Sequence, residues 1–321
     1  MALDLSGLAA YVEENSQPLI QSAILSPKVL DYVTKWENVK STVQLPTLES
    51  TVPYQAGASC NSVTTSGTTT IGKVQLATSA IEFAESICIN DLEAYFTQKY
   101  LPKGANVDTF SILQDILNRK LAKVAIQNEQ LIFQGKTTYT NSTVLKQING
   151  FISTIDTAGT AVTATATTWS LANARTIMEE IIFQKIPNAI IGNSPVVMIG
   201  QDNFRTLLQK LWVDNLFAFS PQGNEQGAME FTYPGTNVKV VAFAGLNSDT
   251  PVDTGVLPSA VKNRIIVATK DNLHVGMDLA SDSSNIETWY EKKERKLYIY
   301  GRFRLGVQAT NINQIVTGNH N

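Results

Sequence analysis

Histidine, cysteine and charge are all scarce in this chain of 321 residues, and each scarcity removes a class of function. The two histidines, His274 and His320, give a Ser or Cys nucleophile little choice of base. His320 lies in the tail, and His274, within Asp271-Asn272-Leu273-His274-Val275-Gly276, reads as a turn or strand-edge residue. The two cysteines, Cys60 and Cys88, permit one disulfide but no framework, which fits a reducing compartment. Two Cys and two His without close spacing make no zinc site. The formal net charge of −3 leaves no basic excess with which to neutralise phosphates. Met1-Ala2-Leu3-Asp4 lacks the basic start of a signal peptide, and no run approaches the roughly eighteen apolar residues of a membrane span. The expectation is a soluble, intracellular product with no membrane partner and no cofactor.

Charged residues make up 17% of the chain against a usual value of about 25%, while hydrophobic residues reach 43%. A real core is therefore available, and the polar surface falls to Thr, Ser, Asn and Gln. Such a surface suits large permanent subunit contacts, where buried charges would cost desolvation energy.

The clearest periodicity is near the C-terminus. From Lys296 to Val307, Leu297, Ile299, Gly301, Phe303, Leu305 and Val307 alternate with Lys296, Tyr298, Tyr300, Arg302, Arg304 and Gly306. That is the period of a half-buried strand, and at about 3.3 Å per residue it spans roughly 40 Å. The longest helix signal runs from Thr109 to Gln134, with Asp108 as cap and Gly135 as stop. Its apolar face holds Ile112, Leu113, Ile116, Leu117, the stem of Lys120, Leu121, Val124, Ile126 and Leu131. At 1.5 Å per residue it spans roughly 38 Å, which matches the strand.

Residues 1–40 read as short helices, with Leu5, Leu8, Ala9 and Val12 on one face and Val29, Leu30, Val33 and Trp36 on another after Ser26-Pro27. Val43 to Tyr54 and Ile71 to Ala77 read as two extended arms around a turn-rich tip, a long hairpin; a surface loop is the alternative. Asn90 to Tyr100 reads as a helix. Between the long helix and the long strand, the chain predicts a small α+β unit. Its parts are a helix over Ser170–Lys185, a buried strand over Val196–Ile199, a helix over Asn203–Trp212 capped by Asp202, and strands at Val238–Ala244 and Ile265–Thr269. No internal repeat or heptad pattern is present.

Local motifs with chemical meaning fail on inspection. Gly67 to Lys73 has P-loop spacing, but Val74 stands where Ser or Thr would bind magnesium, and the context is a hairpin. Gly57-Ala58-Ser59-Cys60-Asn61 starts like a nucleophile elbow and lacks its second glycine. Glu179 and Glu180 flank an apolar helix stripe as its solvated side. Asp278 with Asp282 could pair as acid and base, and Asp249 with Asp253 could hold calcium, yet no EF-hand loop surrounds the latter. Asn141-Ser142-Thr143 matches a glycosylation sequon, which carries no weight without a secretory signal. Tyr298, Tyr300, Arg302 and Arg304 interleave aromatic and basic groups as single-strand nucleic-acid platforms do. The rival reading is that this face pairs with acidic groups or with another subunit.

The order of parts carries a resemblance. An arm, a long hairpin, one long helix, an inserted α+β unit and a long return strand resemble the major capsid proteins of tailed bacteriophages, those with the Hong Kong 97-type fold. The residues that carry it are Ile265–Thr269, Trp289-Tyr290 and Tyr300–Val307, with Val196–Phe204 as a strand running into a helix. The resemblance implies an α+β fold with an N-terminal arm over 1–42 and an E-loop hairpin over 43–82. It further implies a P-domain with spine helix over 83–150, an A-domain over 151–282, a P-domain return strand over 283–305, and a C-terminal strand and tail over 306–321. It implies a non-enzymatic shell subunit that assembles with itself into pentamers and hexamers around double-stranded DNA, without sequence specificity, in a virion built in the bacterial cytoplasm. Portal, decoration and separate scaffold proteins are the further partners it allows; many members carry a cleaved scaffold segment where this chain shows a short arm, so the scaffold is expected to be a separate protein or absent. An encapsulin-type compartment shares the fold. By the same analogy, subunit contacts fall on Tyr54, Cys60, Thr64, Thr65, Ser66, Thr68, Thr69 and Lys73 of the hairpin. Tyr298, Tyr300, Arg302 and Arg304 are placed against a neighbour or the packaged DNA. Some members cross-link subunits through Lys and Asn; Lys73, near the hairpin, could be proposed for that role, though no residue pattern supports it.

Overall fold

The computed structural model describes Leu19 and residues 27–54, 67–88, 109–140, 142–214, 229–247, 263–278 and 285–320. Strands are β1 (Thr34–Trp36), β2 (Thr42–Thr51), β3 (Thr68–Ala77), β4 (Ser79–Cys88), β5 (Val162–Thr163), β6 (Val196–Gly200), β7 (Glu230–Thr232), β8 (Lys239–Phe243), β9 (Arg264–Ala268), β10 (Leu273–Asp278), β11 (Asn285–Glu291), β12 (Lys296–Ala309) and β13 (Val316–Asn319). Helices are α1 (Thr109–Gln134), α2 (Phe151–Ala158), α3 (Ala174–Glu179), α4 (Asn188–Ile191) and α5 (Gln201–Val213).

The alternating segment forms β12, fourteen residues long, and it organises a five-stranded sheet. Its inward side chains Leu297, Ile299, Phe303 and Leu305 are buried. On one side β12 pairs antiparallel with β11 and then β10; on the other it pairs with β4 from Cys88 to Ser79. β1 adds in parallel to β10. Leu117 and Leu121 of α1 join the same core as the inner face of β12. Lys120 reaches across to an ion pair with Glu85 of β4, so its charge is matched while its stem packs.

The second sheet runs β5-β13-β9-β6-β8-β7. Its central strands β6 and β9 are buried on both faces, which is why Val196–Ile199 and Ile265–Ala268 read as apolar runs. Met198, Val241, Phe243, Ile266 and Ala268 face the core shared with α1 and α2. Val197, Ile199, Val240, Ile265 and Val267 face a second core closed by Ile177, Ile181, Phe204 and Leu207. β2 and β3 form a third, two-stranded sheet, a hairpin with a ten-rung register from Thr42↔Ala77 to Thr51↔Thr68.

Several expectations are corrected. Val29, Leu30, Val33 and Trp36 do not share a helix: a 3-10 turn over Lys28–Asp31 gives way to β1, because Trp36 gains more by lying beside β10. Ile126 is 48% exposed, and Ala125, Asn128 and Glu129 take the inward positions around it. Asp202 does not cap α5; Gly200 holds the cap position and Asp202 pairs with Arg205 in the first turn. The Ser170–Lys185 helix is α3 continued by a π-helical turn over Glu180–Lys185, with Ile177, Met178, Ile181 and Ile182 inward as expected. His274 is no strand-edge residue: it is buried in β10, flanked by β1 and β12. His320 lies in the tail just past β13, as expected, and is fully buried there against Trp169. The side chains of Ile112 and Leu113, and the expectations on Leu5–Val12, Asn90–Tyr100, Asp108, Asn141, Asp249, Asp253 and Asp282, lie outside the described residues.

Candidate functional site: the hairpin and the outer face of the long strand

The hairpin stands on the rest of the chain by one face only. Leu45 and Leu76 are buried at its base, on the face that also carries Val43 and Val74. Period-two alternation puts Leu48 and Ile71 on the opposite face, where they are cross-strand partners at 68% and 78% exposure. Val52 and Tyr54 continue the apolar surface past β2, and Tyr54 is fully exposed. Thr68 and Thr69 lie on opposite faces of β3. Each sits in a hydroxyl pair across the hairpin: Thr51 Oγ1 is 2.9 Å from Thr68 Oγ1, and Ser50 Oγ is 3.2 Å from Thr69 Oγ1. Lys73 is exposed opposite Pro46 on the same outer face as Ile71. Cys60, Thr64, Thr65 and Ser66 lie outside the described residues, as does the Gly57–Asn61 motif. The segment with P-loop spacing is strand β3, which joins no helix. The pairing of Leu48 with Ile71 was the signal sequence reasoning missed: it puts an apolar rung on the otherwise polar face of an alternating pattern.

The outer face of β12 is internally matched. Arg302 Nε lies 3.3 Å from Glu82 Oε1 of β4. The Tyr298 hydroxyl donates to Glu294, and its ring stacks on Trp289 of β11 at 5.4 Å with planes 8° apart. Desolvation and Glu82 push the Tyr300 phenol up from its ordinary value. Arg304 stands between Ala80 of β4 and Asp278 of β10 in the register. The β-sheet thus brings all four residues to one face, with carboxylates set against Arg302 and Tyr298. Trp289, 44% exposed and one of the residues that carry the resemblance, belongs to the same surface.

The histidines are structural. The Trp36 indole N–H donates to His274 Nδ1 at 3.1 Å, with Thr310 Oγ1 3.4 Å from Nε2. His320 Nδ1 lies 3.0 Å from the Thr167 carbonyl, to which it donates. Burial pushes both imidazoles below their ordinary value. Glu180 accepts from the Thr165 backbone N–H and hydroxyl, and Glu179 pairs with Arg175. Cys88 ends β4 as a free, half-buried thiol; Cys60 is not among the described residues. Among the described residues no three His, Cys, Asp or Glu side chains gather as metal ligands, and no helix is long and apolar enough to cross a membrane.

No protein-family model matches the sequence, and no curated protein matches it. Solved structures do. A chain of the satellite phage P4 procapsid, described with its size determination protein, has a TM-score of 0.54 at 12% identity, covering 95% of this chain and 98% of that one. A chain of the cyanophage P-SCSP1u capsid gives a TM-score of 0.53 at 12% identity over 91% of this chain and 88% of that one. The virus-like particle from Pyrococcus furiosus gives 0.50 at 9% identity over 96% and 98%. At such identities the likeness is one of fold, and the fold of this chain is the α+β Hong Kong 97-type fold of tailed-phage major capsid proteins.

Proposed function

We propose that this chain is a major capsid protein that assembles with itself into the icosahedral shell around the double-stranded DNA of a tailed phage. The observation that carries the reading is the fold shared, nearly end to end, with a procapsid chain. The hairpin adds support. Leu48 and Ile71 present an apolar rung to solvent on an arm that its own subunit covers on one face only, and such a surface calls for a partner. In this reading residues 1–42 are the arm, 43–82 the E-loop, 83–150 the P-domain with α1 as spine, 151–282 the A-domain, 283–305 the return strand and 306–321 the C-terminal strand and tail. The E-loop, through Tyr54, Thr68, Thr69 and Lys73, lies on a neighbour. The A-domains meet around five- and six-fold axes in ring-forming heterologous contacts. Each subunit then buries well over the about 1,600 Å² of a standard interface. The role is structural, without chemistry on a substrate. DNA is enclosed without being read, and portal, decoration and separate scaffold proteins complete the particle, assembled in the host cytoplasm.

A second reading, a protein-bounded compartment of encapsulin type, is favoured by the likeness to the Pyrococcus furiosus particle. Electron microscopy of the expressed protein, followed by nuclease treatment and extraction of particles from the native source, tests both. Closed shells that protect double-stranded DNA support the phage reading, and shells holding protein cargo support the compartment. A monodisperse monomer in native particles would sink both.

A further inference from the structure

β1 is the shortest strand of the five-stranded sheet and lies at its edge, parallel to β10. Thr34 sits opposite His274 and Trp36 opposite Gly276, so both side chains share the face of His274. The indole N–H of Trp36 donates to His274 Nδ1 at 3.1 Å. An indole nitrogen can only donate, so Nδ1 is bare and the ring proton sits on Nε2. Nε2 lies 3.4 Å from Thr310 Oγ1, whose hydroxyl donates to Asn272 Oδ1 at 2.8 Å. The same Oδ1 accepts the backbone N–H of Asn311. A donor-only group at each end therefore fixes the direction of the whole chain, and His274 is neutral in a single tautomer.

A second proton on the ring has only Nδ1 to occupy, and there it would face the indole N–H, donor against donor. The imidazole meets the indole at this N–H edge, the positive rim of the aromatic, so no cation–π attraction offsets the conflict. The charged groups on the surrounding elements are few. β1 carries Lys35, which pairs with Asp31 at 3.9 Å, and Glu37 follows the strand. The turn before β10 carries Lys270 and Asp271. Asp278 of β10 and Arg304 of β12 lie at the far end of their shared register, and Val74 to Ala77 of the hairpin are uncharged. Burial lowers the His274 pKa, and Asp271 only partly offsets it.

We propose that Trp36 and His274 form an acid-sensitive clasp: the neutral imidazole holds β1 on the sheet, and protonation of Nδ1 releases it and uncovers the edge of β10. Among the described residues, the other side-chain hydrogen bond from β1 is that of Thr34 Oγ1 to the Lys270 carbonyl, 3.2 Å long and exposed. Val33 and Val39, both buried, flank the stretch and anchor the chain on either side of the opening. The released form takes up the proton first. The clasp is therefore fully closed above the ordinary histidine value of 6.5 and loosens as pH falls toward the lowered one. It is a property of the folded subunit and stands apart from the shell reading.

Hydrogen–deuterium exchange of the full chain at pH 7.5 and 5.5, corrected for the intrinsic pH dependence of exchange, reads the clasp through peptides covering residues 34–36. In the wild type these amides should exchange up to about tenfold faster at the lower pH, while α1 remains protected. His274→Gln cannot titrate and should exchange alike at both pH values. Trp36→Phe keeps an aromatic ring but removes the opposing donor, so β1 should exchange faster at pH 7.5 and gain less on acidification. His320→Asn should keep the full acceleration. An acceleration that survives His274→Gln, or is as large in Trp36→Phe as in the wild type, would overturn the proposal. Acceleration absent from the wild type, or lost with His320, would overturn it even if the other two variants failed to fold.

Discussion

Phe83 and Gly301 face each other across β4 and β12, and the Phe83 ring occupies the space where residue 301 would carry a side chain. A Cβ at Gly301 would come within 2.1 Å of the ring. The glycine within the longest strand is therefore the seat of an aromatic from its neighbour, and the ring restores the missing apolar surface.

Gly301→Val is expected to destabilise the subunit by about 2 kcal/mol through overpacking. Phe83→Ala alone should also destabilise, while the double variant should recover part of the loss from Gly301→Val. Denaturant titration of all three variants measures the coupling, and strict additivity would show that the two side chains do not compete for one space.

Leu48→Asp and Ile71→Asp should leave subunit stability within about 0.5 kcal/mol of wild type, since both side chains are exposed in the single chain. Assembly should nevertheless fall sharply. Sedimentation of the variants against wild type separates the two effects; shells formed at the normal rate would remove the outer hairpin face from the interface.

Glu129 sits in α1 with its carboxyl buried, accepting from the backbone N–H groups of Val29 and Gly245, while Oε1 has no partner among the described residues. Desolvation is the main cause that pushes it up to about 7. The folded pKa lies above the unfolded one, so this group's contribution is fully present below about pH 4.5 and is lost as pH rises through 7. Glu129→Gln should flatten stability over that window and stabilise the subunit by about 2 kcal/mol at pH 8. Equal pH slopes for the two proteins would exclude the carboxyl as the cause.

His320 behaves in the opposite sense. Burial is the main cause that lowers its pKa, so the unfolded chain takes up the proton first. Stability should fall as pH drops from the ordinary histidine value of 6.5 toward the lowered one. His320→Asn keeps a donor for the Thr167 carbonyl and cannot titrate, so it should lose that acid sensitivity. Thermal melts at pH 7.5 and 5.5 compare the two; the same drop in both would assign the effect to another group.

Arg302→Gln should cost no more than about 1 kcal/mol, because its ion pair with Glu82 is partly exposed. If the face only packs against protein, DNA retention by shells should be unchanged in Arg302→Gln/Arg304→Gln. A loss of retention that grows with salt would make the face DNA-contacting.

Much of this protein is written in local pattern. The alternation of Lys296–Val307 specified β12 and its buried face, the helical stripe specified α1, and the extended arms Val43–Tyr54 and Ile71–Ala77 specified most of β2 and β3, because side-chain period is a property of the single element. Which edges meet is not local. That Trp36 leaves its helical stripe to flank His274, that His320 buries itself against Trp169, and that Phe83 fills Gly301 are decided between residues far apart in sequence. The candidate surface divides the same way. Tyr298, Tyr300, Arg302 and Arg304 were placed on one face by alternation alone, whereas Glu82 and the Leu48–Ile71 rung emerged only from strand register. The sequence determined the long elements and the poverty of charge that suits them to one another. Only the packed chain decided which faces and edges remain for a neighbour, because exposure depends on what the rest of the fold has already covered.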